Sequence, residues 1–367
     1  MQITLKFSKN FLNFILLGLT IFFISAKFDS CGLPLEGGIP MQPNQPAYGP
    51  GGADYRHADV IQNFYGQGET AYWIFEPASP TPASAPLIVF GHGWLGWPWS
   101  YGDWIEHLVR RGNIVVYPMY QDSIRTPAEV MTPNAIKAIK DAIQRLQSGG
   151  HVLPQLDYFA LVGHSAGATI CANIAASAVS EGLPQPKALM VVHPGSPEYS
   201  PRVSRGTSLL GDYSAIPATI LFLVVVSEED NPGPREVVPK ILFDGTPQIP
   251  LANKDFITAL SDYHGVPPLV SDHYSANAPN DEYDAGDVPL EVKREIGEKL
   301  GLVQPGEDAE TDALDYYGYW KLFDGLTDAA FYGKNREYAL GNTPEQVFMG
   351  EWSDGIPVNK LVVTKNP

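Results

Sequence analysis

Cysteine is nearly absent from this chain: 367 residues contain two, Cys31 and Cys171. One lies near the N-terminus and the other in a run of small apolar residues. No disulfide framework can be built from such a pair, and Cys171 reads as a buried apolar filler. Positive charge is also scarce. Lys and Arg total 24 against 41 Asp and Glu, a net charge of −17. With no basic field to attract phosphate, nucleic acid is excluded as a partner, and so is binding to anionic membranes by charge. No internal repeat is visible. No His/Cys cluster has metal-ligand spacing, so neither a metal nor a cofactor is expected. Asp281, Glu282, Asp284 and Asp287 lack the spacing of a calcium loop and read as a solvated acidic turn. Long apolar runs are confined to one place. Lys6 and Lys9 precede the run Phe11–Ala26, the pattern of a secretory leader over residues 1–31. The run is slightly short for a retained anchor, which is the alternative. Cleavage after Ala26 gives a secreted or periplasmic chain. Lipid attachment at Cys31 instead tethers it to a membrane through its N-terminus.

What the chain does have is 44% hydrophobic residues, 35 Gly and 33 Pro. That suits one large domain with many ordered loops. Residues 32–52 are rich in Pro and Gly and predict a linker, followed by a single domain over 53–367. Val60–Tyr65 and Thr70–Glu76 predict a hairpin. Strands follow at Leu87–Phe90, Asn113–Tyr117, Tyr158–Val162, Ala188–Val192, Thr219–Val226 and Phe256–Leu260. Helices are predicted at Tyr101–Arg111, Pro133–Gln147 and Ala166–Ser180. This alternation means an α/β fold with a mostly parallel central sheet and helices on both faces. From about residue 280 the chain extends beyond what the sheet needs. There Leu314, Tyr317, Trp320, Phe323, Leu326 and Ala330 recur at helical spacing up to Gly333, predicting a helix packed on the sheet. No block between Ala188–Val192 and Thr219–Val226 is long enough for a large lid.

The most informative residues are Gly163-His164-Ser165-Ala166-Gly167. They stand between the strand Tyr158–Val162 and the small-residue helix. A G-x-S-x-G at such a junction makes a turn so sharp that glycines must flank it, and it lifts the serine above the sheet. Serine is a weak nucleophile until a histidine takes its proton and a carboxylate orients that histidine. Past the strand Thr219–Val226 lies Glu228-Glu229-Asp230, with Asp230 the first choice for the acid and Glu229 the runner-up. For the base, His273 on the long loop after the last strand is preferred to His264, which sits at the strand end. His164 points away from the substrate side, and His57, His92, His107, His151 and His193 read as structural. Two backbone N–H groups must meet a developing oxyanion. Ala166 supplies one, and Trp94, in Gly91-His92-Gly93-Trp94, the other. Trp97, Trp99 and Tyr101 crowd that loop, either lining a substrate pocket or packing the loop onto the sheet.

Taken together, Gly91–Trp94, Gly163–Gly167, Asp230 and His273 resemble the α/β-hydrolase superfamily over roughly residues 55–335. The stretch Asp272-His273-Tyr274-Ser275-Ala276-Asn277 is similar to that of secreted cutinases or polyester hydrolases, and of platelet-activating-factor acetylhydrolase-like esterases. The resemblance implies an open site, a Ser-His-Asp triad, no cofactor, and lipid, polymer or small-molecule carboxylic esters as substrates. Ala166 departs from it, since bacterial polyesterases usually carry methionine there. A serine peptidase or acyl-peptide hydrolase uses the same triad, although no propeller or large extra domain is present. A non-catalytic binding module on the same scaffold is the third reading.

Overall fold

The structure, a computed structural model, describes residues 38–195, 208–230, 237–283, 310–365 and 367, and the backbone of 198–200 and 203–205. The chain divides into two units, Met1–Gly38 and Ile39–Pro367, and all the described strands and helices lie in the second. The expected leader, with Cys31, lies outside the described residues.

Nine strands form one sheet among the described residues. In chain order they are β1 (Asp59–Tyr65), β2 (Tyr72–Ala78), β3 (Ser84–Gly91), β4 (Ile114–Pro118), β5 (Leu153–His164), β6 (Ala188–Val192), β9 (Leu221–Ser227), β10 (Lys254–Ala259) and β11 (Val362–Thr364). The pair β7 (Glu198–Ser200) and β8 (Val203–Arg205) forms a separate antiparallel ribbon. Across the sheet the order is β1-β2-β4-β3-β5-β6-β9-β10-β11. The six central strands from β4 to β10 run parallel, and β1, β2 and β11 join antiparallel.

Burial on both faces explains why the inner strands read as unbroken apolar runs. Successive side chains point to opposite faces. Ile114, Val116, Phe222 and Val224 therefore enter one core layer, while Val115, Tyr117, Leu223 and Val225 enter the other. The first layer is closed by α2 (Ala128–Leu146), α3 (Ala166–Ser177) and α4 (Val237–Asp244). The second is closed by α1 (Gly102–Arg110) and by a π-helical segment, Leu314–Trp320, that continues as α5 (Lys321–Tyr332). The helix predicted after residue 314 is thus packed on the sheet, and Gly333 ends it in the left-handed conformation at φ 67°.

Three readings need correction. Helix α2 starts at Ala128, five residues before the expected Pro133, which lies inside it. Proline lacks an N–H but holds a helical φ, so a helix buried along one face accommodates it. Residues 39–52 are not a free linker. The Gly51 N–H donates to Asp324 Oδ2 at 2.8 Å, and Ser353 N–H to the Met41 carbonyl at 3.0 Å. The C-terminal region adds more than a helix, because β11 pairs with β10 and extends the sheet. Of the four acidic residues expected in a solvated turn, Asp281 and Glu282 are exposed, while Asp284 and Asp287 lie outside the described residues.

Candidate active site

Strand β5 ends at His164 and α3 begins at Ala166, leaving Ser165 alone to reverse the chain. Its backbone sits at φ 54° and ψ −122°, a conformation an L-residue adopts only at a cost of about 1–3 kcal/mol. The turn is locked from both sides. Ser165 N–H donates to the Val192 carbonyl at 2.9 Å, and Gly195 N–H donates to the Ser165 carbonyl at 3.1 Å. The flanking glycines are required by contact. A Cβ on Gly167 would lie 2.2 Å from the Gly91 carbonyl carbon, and one on Gly163 would lie 2.4 Å from the Gly167 oxygen. Helix α3 therefore crosses β3 and β5 at backbone distance, which fixes the height of Ser165 above the sheet.

Ser165, His273 and Asp230 come together from three loops at the C-terminal ends of parallel strands. The Ser165 hydroxyl donates to His273 Nε2 at 2.9 Å, and His273 Nδ1 donates to Asp230 Oδ2 at 3.1 Å. His273 rides on a turn held by Tyr274 N–H to Asp272 Oδ1 and Asn277 N–H to the Tyr274 carbonyl, both 2.8 Å. The runner-up residues face elsewhere. Glu229 accepts from the Tyr263 hydroxyl, and His264 pairs with Asp354 at 2.8 Å.

The loop after β3 is pinned on either side of Trp94. Gly93 N–H donates to the Tyr101 hydroxyl at 2.9 Å, and Leu95 N–H donates to Gln121 Oε1 at the same distance. The Ala166 N–H stands at the head of α3. A Cβ on Gly195 would fall 3.3 Å from Ser165 Oγ and 3.5 Å from Ala166 N, so glycine keeps that space open. Of the aromatic residues expected near the site, Trp97 packs edge-on against Trp73 of β2 at 6.0 Å. Trp99 is half-buried. Tyr101 does not line a pocket. It is 2% exposed, and its hydroxyl also meets His164 Nδ1 at 2.8 Å.

His164 and His193 form a buried pair that sequence spacing does not reveal, because 29 positions separate them in the chain. His164 Nε2 donates to the His273 carbonyl at 2.7 Å, and His193 Nδ1 donates to the same oxygen at 3.0 Å. Burial holds His164 well below the usual imidazole range, reinforced by its histidine neighbours. It is neutral, and the Tyr101 hydroxyl, whose pKa burial raises, supplies the proton to Nδ1. The ring nitrogens of His164, His193 and His273 lie within 4.8 Å of one another. That is a spacing at which three histidines could share an ion, and in this structure the three rings are engaged in hydrogen bonds instead.

Residues 90–223 match a family model described as alpha/beta hydrolase fold, a stretch that includes the β3 loop and the Ser165 turn and ends before Asp230 and His273. A search of curated proteins gave no match. The nine-stranded, mostly parallel sheet agrees with the matched model: this chain has the α/β-hydrolase fold.

Proposed function

We propose that this protein is an exported serine hydrolase that cleaves carboxylic esters. The single observation that carries the reading is the unbroken chain from Ser165 Oγ through His273 to Asp230, at 2.9 and 3.1 Å. In that reading His273 Nε2 takes the Ser165 proton as Oγ bonds to the ester carbonyl carbon. Negative charge moves to the carbonyl oxygen, which the Ala166 and Trp94 N–H groups receive. The tetrahedral centre collapses, the C–O bond to the alcohol breaks, and His273 returns the proton to the departing oxygen. Water then repeats the cycle on the acyl-serine, and the acid is released. Asp230 keeps the proton on Nδ1 and offsets the charge of the transient imidazolium. Support for export comes from the apolar leader at Phe11–Ala26. Support for a cutinase-like or acetylhydrolase-like substrate is the stretch Asp272–Asn277.

A fluorophosphonate probe tests the chemistry. Wild-type protein is expected to label and Ser165→Ala is not; an unlabelled wild type refutes the proposal. On p-nitrophenyl esters of graded acyl length, His273→Ala is expected to lose about 10⁴-fold in turnover, since the three residues act as a unit. His264→Ala is expected to stay active, and the reverse outcome would move the base to His264.

A further inference from the structure

The two histidine donors to the His273 carbonyl are unusual in where they come from. His164 ends β5 and His193 follows β6, so the carbonyl is gripped from two adjacent strand ends. Both lone pairs of that oxygen are used, which leaves the peptide of residue 273 little freedom to rotate. His193 is in turn anchored. Its Nε2 faces the hydroxyls of Ser227 at 2.6 Å and Tyr319 at 3.2 Å. Ser227 reaches the Asp272 carbonyl at 2.7 Å, and Tyr319 meets Ser275 at 2.7 Å. Ser275 also donates to the Asp272 carbonyl at 2.8 Å. The peptides on both sides of His273 are therefore tied to one buried network. That network ends on Tyr319, a residue of the C-terminal region rather than of the sheet.

We propose that His193 and Tyr319 are positioning residues, which fix the His273 ring between Ser165 and Asp230 by immobilising the backbone that carries it. This inference rests on the proposed roles of Ser165, His273 and Asp230. Its physical content is that the 271–278 loop has no regular structure of its own. A ring that must meet two partners at once needs its peptide plane set from outside. A displacement of about 1 Å at a reacting group costs about 10²-fold in rate. The C-terminal extension thereby acquires a role in the site, because Tyr319 couples its helix to the loop of the base.

The test uses the full chain and three substitutions. His193→Leu removes the donor to the His273 carbonyl, and His193→Asn keeps an N–H near the position of Nδ1. Tyr319→Phe removes only the hydroxyl. Expected results are a fall in kcat of about 10²-fold for His193→Leu with KM unchanged, and substantial recovery in His193→Asn. Tyr319→Phe is expected to lose about tenfold and covers the case in which His193→Leu does not fold. A readout independent of turnover is the low-field proton NMR signal of His273 Nδ1–H bonded to Asp230. It is expected in wild type and His193→Asn, and broadened or lost in His193→Leu and Tyr319→Phe. Wild-type kcat and an intact signal in folded His193→Leu or Tyr319→Phe would overturn the proposal, as would a rise in KM with kcat preserved. A wild type that shows the signal but neither labels nor cleaves esters refutes the hydrolase reading instead, and positioning is then decided by the signal alone.

Discussion

Ser165 holds its backbone at φ 54°, where its Cβ is crowded and where the neighbouring hydrogen bonds do the holding. Alanine keeps the Cβ and so keeps the strain, whereas glycine relieves it. Ser165→Gly is therefore expected to be more stable than Ser165→Ala by about 1–3 kcal/mol, read from urea midpoints, with both variants inactive. Equal midpoints would mean that the turn carries no strain. The position of Ser165 was legible in the sequence because the turn needs glycine at fixed offsets. Asp230 and His273 were legible because chain order and strand ends narrow the choice. The hydrogen bonds of His164 and His193 to the His273 carbonyl were not. Each is a buried, satisfied histidine when viewed alone, and only the shared carbonyl acceptor on His273 distinguishes them from the structural default.

Among the elements, α5 is the one that fastens distant segments together. Its Asp324 accepts from His107 Nε2 at 2.9 Å, Arg111 Nε at 3.1 Å and Gly51 N–H at 2.8 Å. Arg111 and His107 hold this carboxyl below the usual range despite the opposing effect of its burial. Asp324→Asn removes the carboxylate that His107, Arg111 and the Gly51 N–H share, although Arg111 keeps Asp54 at 3.2 Å and Asp328 at 4.0 Å. It is expected to cost about 1–3 kcal/mol in denaturant melts, and protease cleavage within residues 39–52 is expected to accelerate. Loss of under 1 kcal/mol would show that the cluster is not a fastening point. Sequence periodicity placed this helix and its stop at Gly333, because six apolar residues share one face. It missed the start of α2, where Pro133 suggested a first turn. It also missed β11, where three residues, Val362–Thr364, are too few to show alternation. The outer parts of β3 and β5 escaped for a related reason: proline and polar residues precede the apolar cores from which those strands were recognised.

The whole molecule carries a net charge of −17 at pH 7. Self-repulsion of that size works against the compact state and is screened by salt. Adding salt to about 0.5 M is therefore expected to raise the melting temperature at pH 7. Near the pI of about 4.8 the same addition should change it little. A salt increment that is equal at the two pH values would assign the effect to something other than net charge.

The pairing of β11 with β10 has a consequence for how the chain is made. Synthesis runs from the N-terminus, and residues 362–364 emerge after every other strand of the sheet. Until they do, the outer edge of β10 keeps its backbone groups open, and Asp255 on that strand lacks Lys365 as its partner. The strand ends that carry Ser165, Asp230 and His273 are thus translated long before the sheet beneath them can be closed. A nascent chain holds every residue of the proposed chemistry while still presenting an unpaired strand to its neighbours, and completion of the sheet waits for residues 362–364.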